Sequence, residues 1–178
     1  MSISQKAIDL IKHYESLHDG DLSTVGIQPK MDPLGIWTIG WGHAVVDPVT
    51  GKKLKGQETR EQALALYPGF NLQQSDDLLV RDLAAFERAV RSAVKTPLND
   101  DQIGALTAFA FNIGVANFNS STALAKINAN NIPEAGDWML KWNKGTVNGV
   151  KVELKGLTYR RMSERDLLVR GELKYYNV

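Results

Sequence analysis

Apolar residues recur every three or four positions at Ala7, Ile8, Leu10, Ile11 and Tyr14, which predicts an amphipathic helix capped by Ser4 and ending near Glu15. Segment 16 to 34 loses that period and carries Gly20, Gly26, Pro29 and Pro33, so it reads as loop. From 35 to 46 the period becomes two. Ile36, Thr38, Gly40 and Gly42 fall on one face of a strand, and Trp37, Ile39, Trp41 and His43 on the other. A return strand around Lys53 and Leu54, reached through Asp47-Pro48-Val49-Thr50-Gly51, completes a small antiparallel sheet.

Helical spacing then takes over. Thr59-Arg60-Glu61-Gln62 has the form of a capping box opening a helix through Leu66, stopped by Pro68-Gly69. Ser75-Asp76-Asp77 starts a longer one, with Leu79, Leu83, Phe86 and Val90 on one face as far as about Val94. Asn99 with Gln102 caps a helix whose residues Ile103 to Ile113 are apolar nearly all round, marking a buried centre, and Gly114 suits its end. Ser121 or Thr122 begins another that stops near Asn130-Asn131. Pro133 opens one that carries Trp138 and Trp142 on a shared face. Valines between Gly145 and Gly149 and beyond are strand-like without a sharp period, and Thr158 begins a last helix through Val169. The reading is a mostly helical α+β chain. A sheet-bearing N-terminal lobe spans about 15–74, a connecting helix about 75–94, and a helical lobe about 95–178, joined by the first helix. No repeat, low-complexity segment or linker marks off a separate binding module.

Composition narrows the picture. A chain of 178 residues with 43% hydrophobic and 23% charged residues is an ordinary globular protein of one domain. Net charge of +1 gives no reason to expect a nucleic-acid partner. From Lys141 onward nine Lys or Arg stand against four Asp or Glu, a basic region suited to weak contact with an anionic envelope. Zero cysteines exclude disulfides and thiol chemistry. The N-terminus lacks the pattern of a signal peptide, and no apolar run reaches membrane-spanning length, so a cytoplasmic monomer without a membrane anchor is expected.

The chemistry centres on Glu15 to His43. Glycines in a strand leave the backbone bare, so Thr38, Gly40 and Gly42 make an open shelf where a ligand can come close. Glu15 falls where burial and the helix dipole both disfavour a negative charge, a setting suited to an acid. With Asp32 it offers two carboxyl groups of the kind used in general acid–base chemistry. His43, opposite Thr38, reads as structural. His13, His18, Asp19 and Asp21 make only a weak metal set, and no metal or other cofactor is expected.

Three ordered blocks carry a resemblance. The first is Glu15 with Asp32, Thr38 and Ile39-Gly40-Trp41-Gly42-His43. The second runs from Asp101 to Gly114 with Phe118 and Ser120-Ser121-Thr122. The third is Trp142 with Gly156-Leu157-Thr158-Tyr159-Arg160-Arg161 and Glu164-Arg165. Together they resemble the phage-type lysozymes, the muralytic endolysins. The resemblance implies a lysozyme-like fold and hydrolysis of the β-1,4 bond between N-acetylmuramic acid and N-acetylglucosamine in peptidoglycan. It puts the general acid on Glu15 and the holding of water on Asp32 and Thr38. Phe111 and Ser121 match positions lining the sugar cleft, and Arg160 matches an arginine that pairs with the acid. The matching histidine, His43, is structural in that family. Such an enzyme would stay in the host cytoplasm until released to the wall. Ala44 departs from a larger aliphatic residue. Sixteen residues separate Glu15 from Asp32, more than is usual; the shorter spacing would land on Thr24, so a loop insertion is expected, with Asp19 and Asp21 as rivals to Asp32. A chitin-type glycosidase of the same fold and an idle wall-binding protein are the alternatives.

Overall fold

In the computed structural model, which describes residues 3–20, 23, 25–147 and 149–177, the first helix α1 runs Gln5–Glu15. Ser16, at φ 57, ends it in the left-handed region, which costs a non-glycine residue about 1–2 kcal/mol. Three short strands follow: β1 (Lys30–Met31), β2 (Trp37–Ile39) and β3 (His43–Ala44), in that order in one antiparallel sheet. Thr38 lies opposite Lys30 on one side and Ala44 on the other.

The strand expected from 35 to 46 is therefore broken. Gly40 and Gly42 take φ 59 and 89, so the chain folds back between β2 and β3 and the alternation of faces stops at Ile39. The return segment does join: Trp37 N–H donates to Leu54 O, and Leu54 N–H to Val45 O. In the turn between, Asp47 Oδ1 accepts from the N–H groups of Val49 and Thr50; with Thr50 foremost, these bonds hold its carboxyl below the usual range. Ile27, Trp37, Ile39, Val45, Leu54, Ala63, Phe70 and Leu78 form the core of this part.

Helix α2 (Arg60–Ala65) forms without the expected capping box, because a 3-10 turn at Gln57–Thr59 precedes it and Thr59 Oγ1 donates to Lys55 O and Gly56 O. Helix α3 (Leu72–Ala93) starts three residues before Ser75. Its box is Asn71 with Gln74, each side chain accepting from the other's backbone N–H at 2.9 Å.

The remaining helices are α4 (Asp100–Ile113), α5 (Val115–Asn119), α6 (Thr122–Asn128), α7 (Ile132–Met139) and α8 (Lys155–Arg170), with a hairpin of β4 (Lys144–Val147) and β5 (Val150–Glu153) before the last. The Asn99–Gln102 box opens α4 as its sequence predicts, and Ile103 to Ala110 are all buried. Helix α7 ends before Trp142. Trp138 and Trp142 thus share no helix: Trp138 is exposed, while Trp142 meets Phe109 edge to face. The chain forms two compact units, Glu15–Asp82 and Met1–Tyr14 with Leu83–Val178, and α3 runs through the boundary between them.

Glycine positions test the packing of the larger unit. A Cβ on Gly104 of α4 would stand 2.9 Å from Ala7 Cβ and 2.7 Å from Ser4 Oγ, so α1 approaches too closely for a methyl group. Gly156, in the first turn of α8, has nothing within 4 Å. Gly104→Ala should lose about 1–2 kcal/mol, since overpacking exceeds the helix-propensity gain. Gly156→Ala should gain about 0.5–1 kcal/mol. Calorimetry should show melting shifts of opposite sign, and a stabilising Gly104→Ala would contradict the close contact.

Candidate active site

Glu15 is the last residue of α1 and is half-buried. The turn at Ser16 swings the chain so that His18 lies antiparallel to Gly40: His18 N–H donates to Gly40 O at 2.7 Å and Gly40 N–H to His18 O at 3.2 Å. This pairing brings the acid to the glycine turn. A Cβ on Gly42 would stand 3.6 Å from Glu15 Oε2, so the acid lies directly beside this turn. Gly40 is also forced, because a Cβ there would stand 2.9 Å from Ser75 Oγ on α3. Trp41, between the two glycines, donates from Nε1 to Asp76 Oδ1 at 2.7 Å and anchors the turn to the same helix.

The long loop between Glu15 and Asp32 is clamped at its ends. Gly20 N–H donates to Gln28 O at 2.9 Å, and Gln28 N–H donates to Asp19 Oδ1 at 3.0 Å. Gly20 is required at the clamp, where a Cβ would stand 2.3 Å from Pro29 O. The excursion thus begins and ends at nearly the same place and delivers Lys30 to the sheet. Asp19 serves the clamp, and Asp21 and Thr24 lie outside the described residues.

Asp32 sits in the β1–β2 turn. Its Oδ1 accepts from Leu34 N–H at 2.8 Å and Ile36 N–H at 2.9 Å, while Gly35 N–H closes the turn on Asp32 O. One carboxylate oxygen is therefore committed to the backbone, and Oδ2 points the remaining acceptor capacity elsewhere. Thr38 is buried, at 6% exposure. Its hydroxyl donates to Lys30 O at 3.0 Å and lies 2.8 Å from His18 Nδ1. This partner was not foreseen. In sequence His18 is only a member of a weak metal set; of the described members, His13 stacks on Tyr175, His18 meets Thr38, and Asp19 holds Gln28. Among the described residues no group of three His, Asp or Glu could hold a metal ion.

His43 Nδ1 lies 2.7 Å from Asp82 Oδ2, an ion pair tying β3 to α3 when the ring is protonated. Tyr67 packs edge-on to the same ring, and burial, then the Asp82 charge, pushes its phenol up.

The other unit holds the remaining candidates. Arg160 and Arg161, 3% and 0% exposed, share the fully buried Glu164 at 3.1 and 3.2 Å. Arg161 also donates from Nη2 to Asn112 Oδ1 at 2.7 Å and lies over the Phe109 ring. Arg160 thus pairs with Glu164 away from solvent. It is a buried, oriented cation. Phe111 is half-buried against Phe86. Ser121 caps α6, accepting from Leu124 N–H at 3.1 Å and donating to Phe118 O at 2.7 Å, so its proton is already committed. It lines a cavity of about 420 Å³ with Trp138, Trp142, Lys141, Lys144 and Lys151.

The phage lysozyme family model matches residues 23–164, which include Asp32, Thr38, Gly42, His43, Phe111, Ser121 and Arg160 but begin after Glu15. An endolysin of Acyrthosiphon pisum secondary endosymbiont phage 1 is 30% identical over 167 residues, covering 94% of this chain and 97% of that protein. Among solved structures, an endolysin from Escherichia coli phage FAHEc1 aligns with a TM-score of 0.77 at 30% identity, covering 98% of this chain and 97% of that one. The muramidase domain of SpmX from Asticaccaulis excentricus aligns at 0.71 and 30% identity, over 94% and 97%. On the family match and the near-complete coverage of these relatives, the chain belongs to the phage lysozyme family.

Proposed function

We propose that this lysozyme-type glycosidase is an N-acetylmuramidase, in which Glu15 is the general acid and Asp32 and Thr38 hold the attacking water. The observation that carries the reading is the placement of the Glu15 carboxyl beside the Gly42 turn, in the same unit as the Asp32 turn and Thr38. In this scheme Glu15 gives its proton to the glycosidic oxygen as the bond to the anomeric carbon breaks. Water adds to that carbon from the opposite face, and its proton passes to the Asp32 carboxylate. Asp32 Oδ2 is the oxygen suited to this, because Oδ1 is held by two backbone N–H groups. Peptidoglycan is the substrate that family membership gives. Cleavage on the muramic acid side is supported by the muramidase description of the SpmX domain, whose fold and length match this chain.

Lysis of purified walls tests the roles. Glu15→Gln should lose at least about a hundredfold in rate, the usual scale of general acid catalysis. Asp32→Asn is the sharper variant, because an amide oxygen can still accept from Leu34 and Ile36 while the charge is gone. It should lose about a hundredfold or more in rate with its melting temperature nearly unchanged. Wild-type lysis by Asp32→Asn would leave Asp32 as a turn residue alone.

The bond specificity has its own readout. Borohydride reduction of digested walls followed by hydrolysis and mass spectrometry should find the reduced sugar as muramic acid. Reduced glucosamine instead would mean that the other glycosidic bond is cut.

A further inference from the structure

The hydroxyl of Thr38 has one proton and two recorded neighbours, and only one arrangement makes both contacts attractive. Lys30 O, 3.0 Å away, can only accept, so it takes the hydroxyl proton. His18 Nδ1, 2.8 Å away, must then donate to the hydroxyl oxygen. The reverse arrangement would spend the proton on the imidazole and leave two oxygen atoms facing each other 3.0 Å apart with no hydrogen between them.

We propose that His18 is a positioning residue for the reaction: its Nδ1–H sets the polarity of the Thr38 hydroxyl, which then meets the attacking water as an acceptor. The proposal rests on the reading that Asp32 and Thr38 hold that water. A hydroxyl has two lone pairs, and once His18 occupies one, the other can only accept from a third partner. A water molecule that donates one hydrogen to Thr38 and the other to the Asp32 carboxylate turns an oxygen lone pair toward the sugar. A Thr38 that donated to the water would tie up one of the water's two lone pairs and leave one of the water's hydrogens without this acceptor. Several constraints fix His18 in this role. Its backbone is clamped to Gly40 by two hydrogen bonds, Thr38 is on the adjoining strand, and Thr38 is buried, so bulk water does not compete for its hydroxyl. Three residues after the acid, one side chain thus links the end of α1 to the water site.

Nitrogen-15 NMR of the intact protein, at a pH where the His18 ring is neutral, reads the tautomer directly. The proton is expected on Nδ1; a proton on Nε2 with Nδ1 bare would overturn the proposal. Kinetics on soluble peptidoglycan fragments give the second readout. His18→Ala should lower kcat about tenfold, the effect of one ordinary hydrogen bond, with KM nearly unchanged. His18→Asn, which returns an N–H near the place of Nδ1, should recover most of that loss. In a Thr38→Val background His18→Ala should change kcat no further, whereas an equal tenfold loss there would show that His18 acts on the fold at large and would overturn the proposal. Wild-type kcat in Thr38→Val would remove the water-holding reading itself, and the proposal with it. Wild-type kcat in His18→Ala beside an impaired Thr38→Val would overturn the proposal alone.

Discussion

Two backbone hydrogen bonds between His18 and Gly40 hold the candidate site together. They fasten the segment that leaves α1 to the turn between β2 and β3. The placement of Glu15 beside Gly42 follows from them, as does the approach of the His18 ring to Thr38. Ser16 takes an unfavourable left-handed backbone conformation to make the connection, and Gly40 has no side chain because Ser75 occupies the space. The loop that follows is closed by Asp19 and Gly20 against Gln28 before Lys30 enters the sheet.

Asp32 and Thr38 both carry structural bonds, and the proposed chemistry draws on what those bonds leave unused. Asp32 gives Oδ1 to its own turn and keeps Oδ2. Thr38 gives its proton to Lys30 O and keeps one lone pair. In the other unit the polar groups are held on more than one side: Ser121 caps a helix and donates to Phe118 O while lining a cavity, and Glu164 meets two buried arginines. Fixing a group by one bond while leaving its other valence open is how a small enzyme keeps polar side chains in register without flexible searching.

Much of this was legible in sequence because it rests on local chemistry. The Asn99–Gln102 box, the apolar α4 and the helix ending at Glu15 each follow from residues within a few positions of one another. The Asn71–Gln74 box has the same chemistry and was overlooked, because Ser75-Asp76-Asp77 offered a competing start three residues later. The glycines at 40 and 42 were placed in one continuous strand; strict alternation with Thr38 concealed that both take positive φ and turn the chain back. Trp138 and Trp142 have helical spacing, yet the helix ends between them at Met139. His18 had no local signal at all. Its role depends on a backbone pairing with Gly40 and on a strand partner twenty residues away in sequence, and only the folded chain brings these together.

The central claim is that Asp32 and Thr38 direct a water molecule, with no bond forming between Asp32 and the sugar. The anomeric configuration of the first-formed product tests it most directly. A directed water inverts the anomeric centre, whereas attack by the carboxylate followed by hydrolysis retains it. Proton NMR of the new reducing end, recorded before mutarotation, should therefore show the α-anomer from the β-linked substrate. An initial β-anomer would contradict the account.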